Sequence, residues 1–408
     1  MRHGDGDARA TFGQLFAVGE FRALWLAQIL SVLGDQLARV ALTLLVYDQT
    51  RSPLLAAVTF AASVVPTFVG GVTLAGLADR LPRRRVMIGC DLIRALLVLI
   101  MALPGMPLAA LVVLLFAVTM VATPFTSARG AIYPEVLQGD LYVLGNAATL
   151  TTYQFAQVLG FAAGGAVVLA LGVRVSLAAD AATFVISAVI IRLRVAHREA
   201  VRTAAGSRTG IADIAAGVRL VFARPALRVP MLLGWLAAFY NAPEGIAAPL
   251  ATSLGGGSVA VGLLLAATAL GASIGAVTFS RLVEPGHRQA WMRPLAVAAS
   301  GVLVLFALRP GLPLALAILF ASGLADSYQI AASAAFVRAA PSGQRSQAFG
   351  LAQAGMSLGQ GAAMILAGAA ARQFPPDMVV AAAGLLGAVT ALAVVIRPGP
   401  AAMSAASG

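Results

Sequence analysis

The sequence predicts an all-α membrane protein, with twelve transmembrane helices in two pseudo-symmetric six-helix bundles. Three observations carry this. The 408 residues are 60% hydrophobic and only 11% charged, with a mean hydropathy of +0.90, whereas soluble proteins average about 25% charged residues. Arginines cluster in every second connection between apolar segments, as short loops retained in the cytoplasm do. The pattern of the first six apolar segments recurs weakly in the last six, on the far side of a polar stretch at 194–228, as in transporters built from repeats. A span needs about 20 apolar residues, so the length accommodates about twelve. The expected organisation is a cytoplasmic start at 1–20, a six-helix bundle at 21–193, a cytoplasmic linker with a surface helix at 194–228, a second bundle at 229–396 and a cytoplasmic tail at 397–408. The expected location is the cell inner (cytoplasmic) membrane, with both termini cytoplasmic.

The net charge of +12 invites a nucleic-acid reading, but the alternation of the basic loops answers to membrane topology instead, so no nucleic-acid partner is expected. All 28 basic side chains are arginine, since the sequence contains no lysine. Arginine does not deprotonate in proteins. His3, His197 and His287 all fall in predicted cytoplasmic segments. Any proton carrier within the membrane must then be a carboxylate. Cys90 is the single cysteine, which excludes an intrachain disulfide and a multi-cysteine metal site. The polar, basic N-terminus reads as lacking a signal peptide.

The first helix is expected over Phe21–Tyr47. Asp35 and Arg39 share a face at i, i+4. Asp35 lies about 20 Å beyond Arg22 by helical rise, near mid-membrane. An ionisable residue at that depth marks a functional site by default; a self-neutralising structural pair is the alternative. Gln28 lies on the same helix. The second helix covers Leu54–Ala78, with Gly70 and Gly71 permitting close packing. The loop that follows holds Asp79, Arg80, Arg83, Arg84 and Arg85 within seven residues. Either Arg83 or Arg84 can clasp Asp79 through a charge-assisted hydrogen bond and so gate two helices; otherwise the loop is a solvated turn that sets topology. The third helix, Val86–Leu103, carries Asp91 and Arg94, which extend the loop network unless Arg94 snorkels to the surface. The fourth covers Leu108–Ser127, followed by a cytoplasmic loop with Arg129 and Glu135. The fifth, Val143–Leu171, and the sixth, Val173–Leu193, come next, and the sixth contains Asp180.

Within the linker, Ile211–Ala223 reads as an amphipathic surface helix. The seventh helix, Val229–Ala251, carries Trp235, Tyr240, Asn241 and Glu244, with Pro243 and Pro249 kinking or ending it. Asn241 aligns with Asp35 when the halves are superposed at their preceding arginines. The eighth covers Ser258–Leu282; after it, Glu284 and Arg288 repeat Asp79 and Arg83. The ninth is Met292–Leu308. The tenth, Leu312–Val337, holds Asp326, Tyr328 and Gln329. The eleventh, Ala348–Ala371, holds Gln353 and Gln360, and the twelfth is Met378–Ile396.

Several of these stretches resemble the major facilitator superfamily. Residues 74–87, LAGLADRLPRRRVM, are similar to its loop motif G-x-L-A-D-R-x-G-R-R at Asp79, Arg80, Arg83 and Arg84, with Ala75 and Pro82 in place of the two glycines. The first helix, with its Leu-Trp, Gln and Gly-Asp, and the R-G-x-x-P-E segment at Arg129 resemble the branch containing macrolide efflux proteins and the enterobactin exporter. Residues 160–165, GFAAGG, resemble an antiporter motif with Phe161 in place of Pro, although close helix packing alone explains those glycines. The resemblance implies the major facilitator fold and proton-driven export of a drug-like or siderophore-like solute by alternating access.

No phosphate-cradling Gly-rich loop with Lys-Ser/Thr, metal-ligand cluster or nucleophile elbow occurs. Neither enzyme activity, metal nor cofactor is therefore expected. The expected partners are a small-molecule substrate, protons and the lipid bilayer, and the chain is expected to be a monomer. Proton-coupling candidates are Asp35, Asp326, Glu244 and Asp180. The gating set is Asp79, Arg80, Arg83, Arg84, Asp91, Arg94 and Arg129. The cavity set is Gln28, Asp35, Arg39, Trp235, Tyr240, Asn241, Tyr328, Gln329 and Gln353. An importer or symporter on the same fold is one alternative function. A membrane sensor that transports nothing is another, favoured if Asp35 and Asp326 face lipid or are ion-paired and dry. The topology predicts that a cysteine at Ser207, in a Cys90-free background, resists a membrane-impermeant thiol reagent added to intact cells; ready labelling contradicts it.

Overall fold

The computed structural model describes residues 11–74, 81–198, 218–284, 286–341 and 345–396. Asp79, Arg80, Arg202, Ser207 and residues 211–217 of the expected surface helix lie outside them. Within them the backbone is helical without strands. In lipid a spanning backbone must satisfy its own hydrogen bonds, which helices do. Eight helices are long and apolar enough to cross a membrane by length and composition alone.

The passes are α1 (Gly19–Thr50), α2 (Pro53–Ala61 and Pro66–Thr73), α3 (Arg83–Met101), α4 (Leu108–Val136), α5 (140–171) and α6 (173–194). Then come α7 (Pro225–Trp235, Ala237–Tyr240, Ala242–Gly245 and Ala247–Ser253), α8 (Ser258–Leu282), α9 (Arg288–Leu308), α10 (Leu312–Ala325 and Tyr328–Ala339), α11 (Arg345–Ala370) and α12 (Pro376–Ile396). Gly172, at φ +79°, makes the reversal between α5 and α6, a conformation that only glycine adopts freely. A short helix, Phe12–Ala17, precedes α1 and is closed by a capping box between Thr11 and Gln14. Its Leu15 is buried with Phe21 and Tyr133, so the described part of the expected polar start is packed structure.

The same packing scheme occurs twice. α1 lies on α5, α2 on α4 and α3 on α6; α7 lies on α11, α8 on α10 and α9 on α12. The halves meet where α2 crosses α11 and α5 crosses α8. Both crossings rest on glycine. A Cβ at Gly262 would lie 2.5 Å from the Phe161 carbonyl oxygen, and one at Gly368 would lie 2.9 Å from the Pro53 carbonyl oxygen. These residues sit near one end of the molecule. That end carries Arg51, Arg174, Arg309 and Arg372, whereas Arg22, Arg83–Arg85, Arg192, Arg194, Arg224, Arg228, Arg281, Arg288 and Arg338 lie at the other. We call these the arginine-poor and arginine-rich ends.

Three helices are broken; the sequence read α2 and α10 as continuous, whereas Pro243 and Pro249 marked α7 as kinked or ended. In α2 the chain turns at 62–65 before Pro66, which lacks an N–H and clashes with the preceding turn. In α7 the breaks fall at Leu236, Asn241 and Ile246. In α10 the break is at Asp326 and Ser327. Conversely, α4 continues past Ser127 through Pro134 to Val136, so the segment with Arg129 and Glu135 is helical. Its polar residues suggested a loop, but Ile132 and Tyr133 are buried and the Tyr133 hydroxyl meets Thr149 Oγ1 at 3.1 Å. In the linker, residues 218–223 are helical and Val221 is buried with Leu227, Phe336 and Leu351. This stretch packs onto the second half.

Glycine contacts also hold the second half together internally. A Cβ at Gly271 would strike the Phe320 carbonyl oxygen and lie 3.0 Å from the Leu324 nitrogen, whereas one at Gly89 would meet nothing within 4 Å. Overpacking costs about 1–3 kcal/mol. We therefore expect Gly271→Val to lower the melting temperature of the purified protein by several degrees and Gly89→Ala to leave it nearly unchanged. Equal behaviour of the two would contradict the α8–α10 contact.

Candidate transport site: one cavity in each half

The first half gathers its buried acids around the Arg94 guanidinium. Arg94, on α3, is 2% exposed. It donates to Asp35 Oδ1 at 2.5 Å and to Ser31 Oγ at 3.4 Å, both on α1, and lies 4.0 Å above the Phe184 ring of α6. Asp91, one turn earlier, accepts from Ser187 Oγ of α6 at 2.6 Å. Asp180 of α6 approaches α1 where Gly34 leaves room; any Cβ there would collide with the Asp180 carboxylate. Asp91 Oδ1 and Asp180 Oδ2 are buried without a hydrogen bond among the described residues. Three carboxylates thus gather around one arginine. An uncompensated buried charge is expensive, so the cluster is electrostatically poised.

This geometry corrects two expectations. Asp35 pairs with Arg94, not with Arg39. Arg39 instead donates to the Ser63 carbonyl oxygen at 3.3 Å, which the break in α2 leaves available, and lies within electrostatic reach of Glu244 in the other half. Asp91 and Arg94 neither extend the basic loop nor snorkel. The third helix is already formed at Arg83, so both lie two to three turns inside it and face α1 and α6.

The arginine-rich end has its own belt. Arg83 pairs with Glu135 and donates to the Ala131 carbonyl oxygen at 3.0 Å, and Arg84 donates to the Arg192 carbonyl oxygen. Arg198 bridges Glu20 at 2.6 Å and Glu135 at 3.4 Å. The belt ties α1, α3, α4 and α6 together, with Asp79 and Arg80 outside the described residues. In the second half Arg288 donates to the Ser280 and Val283 carbonyl oxygens at 2.8 and 3.1 Å, which finishes α8.

A cavity of about 410 Å³ runs along the first half, lined by Gln28, Asp35, Arg39, Arg94, Arg129 and Asp180 among others. Arg129, expected in a gating loop, lines this cavity because α4 stays helical. A second cavity, of about 360 Å³, lies in the other half and is lined by Trp235, Tyr240, Asn241, Asp326, Gln329 and Gln353, with Met231, Phe336, Phe349, Met356 and Gln360. The broken helices supply its polar groups. Tyr240, beside one break in α7, donates its hydroxyl to Asp326 at the break in α10. Gln329 Nε2 donates to Tyr240 Oη at 2.9 Å and to the Gly234 carbonyl oxygen at 3.1 Å. Trp235 is fixed by Nε1 donating to the Ala352 carbonyl oxygen at 3.0 Å.

Two expected residues stand apart from this cavity. Tyr328 is fully buried behind it and donates to the Leu233 carbonyl oxygen at 2.8 Å, so it ties α10 to α7. Glu244 lines neither cavity and stands between Arg39 and Asp326. Sequence reasoning missed Phe349 and Met356. Their signal was the spacing Phe349, Gln353, Met356, Gln360 on one face of α11.

The comparisons fit this architecture. The Major Facilitator Superfamily model matches residues 24–243 and 245–407. The chain belongs to the major facilitator superfamily. A POT family transporter solved with 5-aminolevulinic acid is similar over 95% of this chain and 97% of its own, with a TM-score of 0.75 at 10% identity. The nucleoside transporter NupG, solved as a point mutant, is similar over 91% and 99%, with a TM-score of 0.66 at 16% identity. A bacterial homologue of the human lysosomal transporter Spinster, inward-facing and unoccupied, is similar over 95% of each chain, with a TM-score of 0.63 at 16% identity. Identities this low show the fold alone. No curated protein matches the sequence. This major facilitator is a multi-pass membrane protein and a secondary transporter.

Arg94 is the cation on which the first cluster depends. Arg94→Leu leaves Asp35, Asp91 and Asp180 without it and should cost about 3 kcal/mol or more of stability. Arg83→Ala removes a half-exposed pair at the belt and should cost under about 1 kcal/mol, an effect that added salt diminishes. Denaturation midpoints of the two variants in detergent measure the difference; equal losses would contradict the central placement of Arg94.

Proposed function

We propose that this transporter is a proton-coupled exporter of drug-like or siderophore-like small molecules that works by alternating access as a monomer. It would sit in the cell inner membrane with the arginine-rich end and both termini cytoplasmic. The observation that carries the reading is the pair of cavities, each with a carboxylate in its lining and each in a different half. Asp35 is ion-paired, but its side chain is 31% exposed to the cavity, and Asp326 lines the other cavity. Neither faces lipid and Asp35 is not dry, which speaks against a sensor that transports nothing.

Proton coupling is supported by the charge balance. Asp35, Asp91 and Asp180 share Arg94, and Asp326 accepts from the neutral Tyr240 hydroxyl. A carboxylate in such a site changes charge when its neighbours or water move. No histidine or lysine lies inside the helices to do so. Contact between the halves at Gly262 and Gly368 supports a state closed at the arginine-poor end. The exporter assignment rests on the resemblance at the first helix, at residues 74–87 and at Arg129, and transport into inverted vesicles separates it from import.

The test uses a solute found by screening drug-like and siderophore-like compounds for accumulation in inverted vesicles. Asp35→Asn and Asp326→Asn proteoliposomes should still exchange that solute down its own gradient. At least one variant should lose accumulation driven by a pH gradient. Full pH-driven accumulation in both single variants and the double variant would refute carboxylate coupling at these sites.

A further inference from the structure

Arg39, Arg94 and Arg129 all line the first cavity. Arg94 is paired with Asp35, and Arg39 is bonded to Ser63 within electrostatic reach of Glu244. Arg129 differs. Among the described residues no carboxylate lies within 4 Å of it and no hydrogen-bond acceptor engages it. The ionisable groups near it are Tyr133 and Tyr153, and the Tyr133 hydroxyl is already engaged by Thr149. A guanidinium does not deprotonate, and an unmatched charge in a low-dielectric site attracts a counter-charge. The cavity therefore presents one permanent cation with its donors unused.

The surroundings limit what can meet it. Arg129 lies seven residues before the end of α4, about 10 Å from the arginine-rich end by helical rise. In the other half Phe349 and Trp235 lie four and ten residues inside α11 and α7, about 6 and 15 Å from the same end. Phe336 and Met356 complete an aromatic and thioether wall there. Asp326, the carboxylate of that wall, already accepts from Tyr240. Within about 5 Å of the same depth by helical rise, then, an open guanidinium belongs to one half and an aromatic wall to the other.

We propose that the solute is an amphipathic organic anion whose carboxylate, sulfonate or phosphate docks on Arg129 while its apolar body lies against Trp235, Phe336 and Phe349. The inference rests on the transporter reading and narrows its substrate class. An oxyanion with two or more oxygens can accept from the fork of guanidinium donors together, and an aromatic body matches the edges and faces of the wall. A cationic head would meet Arg129 with no free carboxylate at that depth among the described residues.

The test is binding of three probes with one naphthalene body: 2-naphthalenesulfonate, 2-naphthylmethanol and 2-naphthylmethylammonium, measured by thermal shift of the full-length protein in nanodiscs. The sulfonate should bind at least about tenfold more tightly than the other two, and Arg129→Gln should weaken it by more than about tenfold. Arg129→Lys should restore part of the loss. The alcohol should bind wild type and variants alike, which shows that the variants are folded. Absence of sulfonate binding up to about 1 mM, equal or tighter binding of the ammonium probe, or sulfonate binding indifferent to Arg129→Gln would each overturn the proposal. Counterflow of labelled sulfonate in proteoliposomes separates the two readings. Arg129-dependent binding without any flux would leave the anion site standing and remove the transporter reading, whereas flux of the alcohol or ammonium probe alone would do the reverse.

Discussion

Charge placed inside hydrocarbon is the constraint on which the rest of this structure depends. Well inside the helices the chain carries Asp35, Asp91, Asp180, Glu244 and Asp326 against Arg39, Arg94 and Arg129. Each such group is expensive unless matched, and helix order follows from the matching. Arg94 of α3 reaches α1, Asp91 reaches α6, and Asp180 presses on α1 where Gly34 has no side chain. The first half is thus assembled around a polar centre, with the apolar contacts of Leu42, Val98, Leu115 and Phe184 beside it.

The second half solves the same problem without an internal arginine. It breaks its helices instead. The interruptions of α7 and α10 place Tyr240, Asp326 and Gln329 together, and the Leu233 and Gly234 carbonyls accept from Tyr328 and Gln329. Irregular backbone at membrane depth is tolerated where it lines a cavity or is buried in protein, and both conditions hold here. The two halves therefore share a packing scheme but differ in chemistry, one ionic and the other aromatic and amide-rich.

Much of the fold was legible in the sequence because apolar length and arginine alternation are strong signals. The eighth helix, Ser258–Leu282, was read with its observed bounds. Breaks within helices were not legible in α10, where no proline marks the turn at Asp326. The site was legible in part. Asp35, Asp326 and Asp180 stand out as acids in apolar segments. Their partners do not, because Arg94 lies 59 residues from Asp35 and a pairing at that separation exists only once α3 packs on α1. The i, i+4 spacing of Asp35 and Arg39 suggested a local pair, but the freed Ser63 carbonyl and the approach of Glu244 drew Arg39 away. Arg129 was read with the basic loops because polar neighbours mimic a loop; only the continuity of α4 moves it into the cavity.

The proposed alternating access requires that these two halves part and rejoin at the seam where α2 crosses α11. A Cβ at Gly361 would stand 4.0 Å from that of Ala61, within the range a disulfide spans. The most direct measurement is therefore transport by an Ala61→Cys, Gly361→Cys variant in a Cys90-free background, before and after oxidation. Cross-linking should stop solute flux, and reduction should restore it. Undiminished flux through quantitatively cross-linked protein would contradict it.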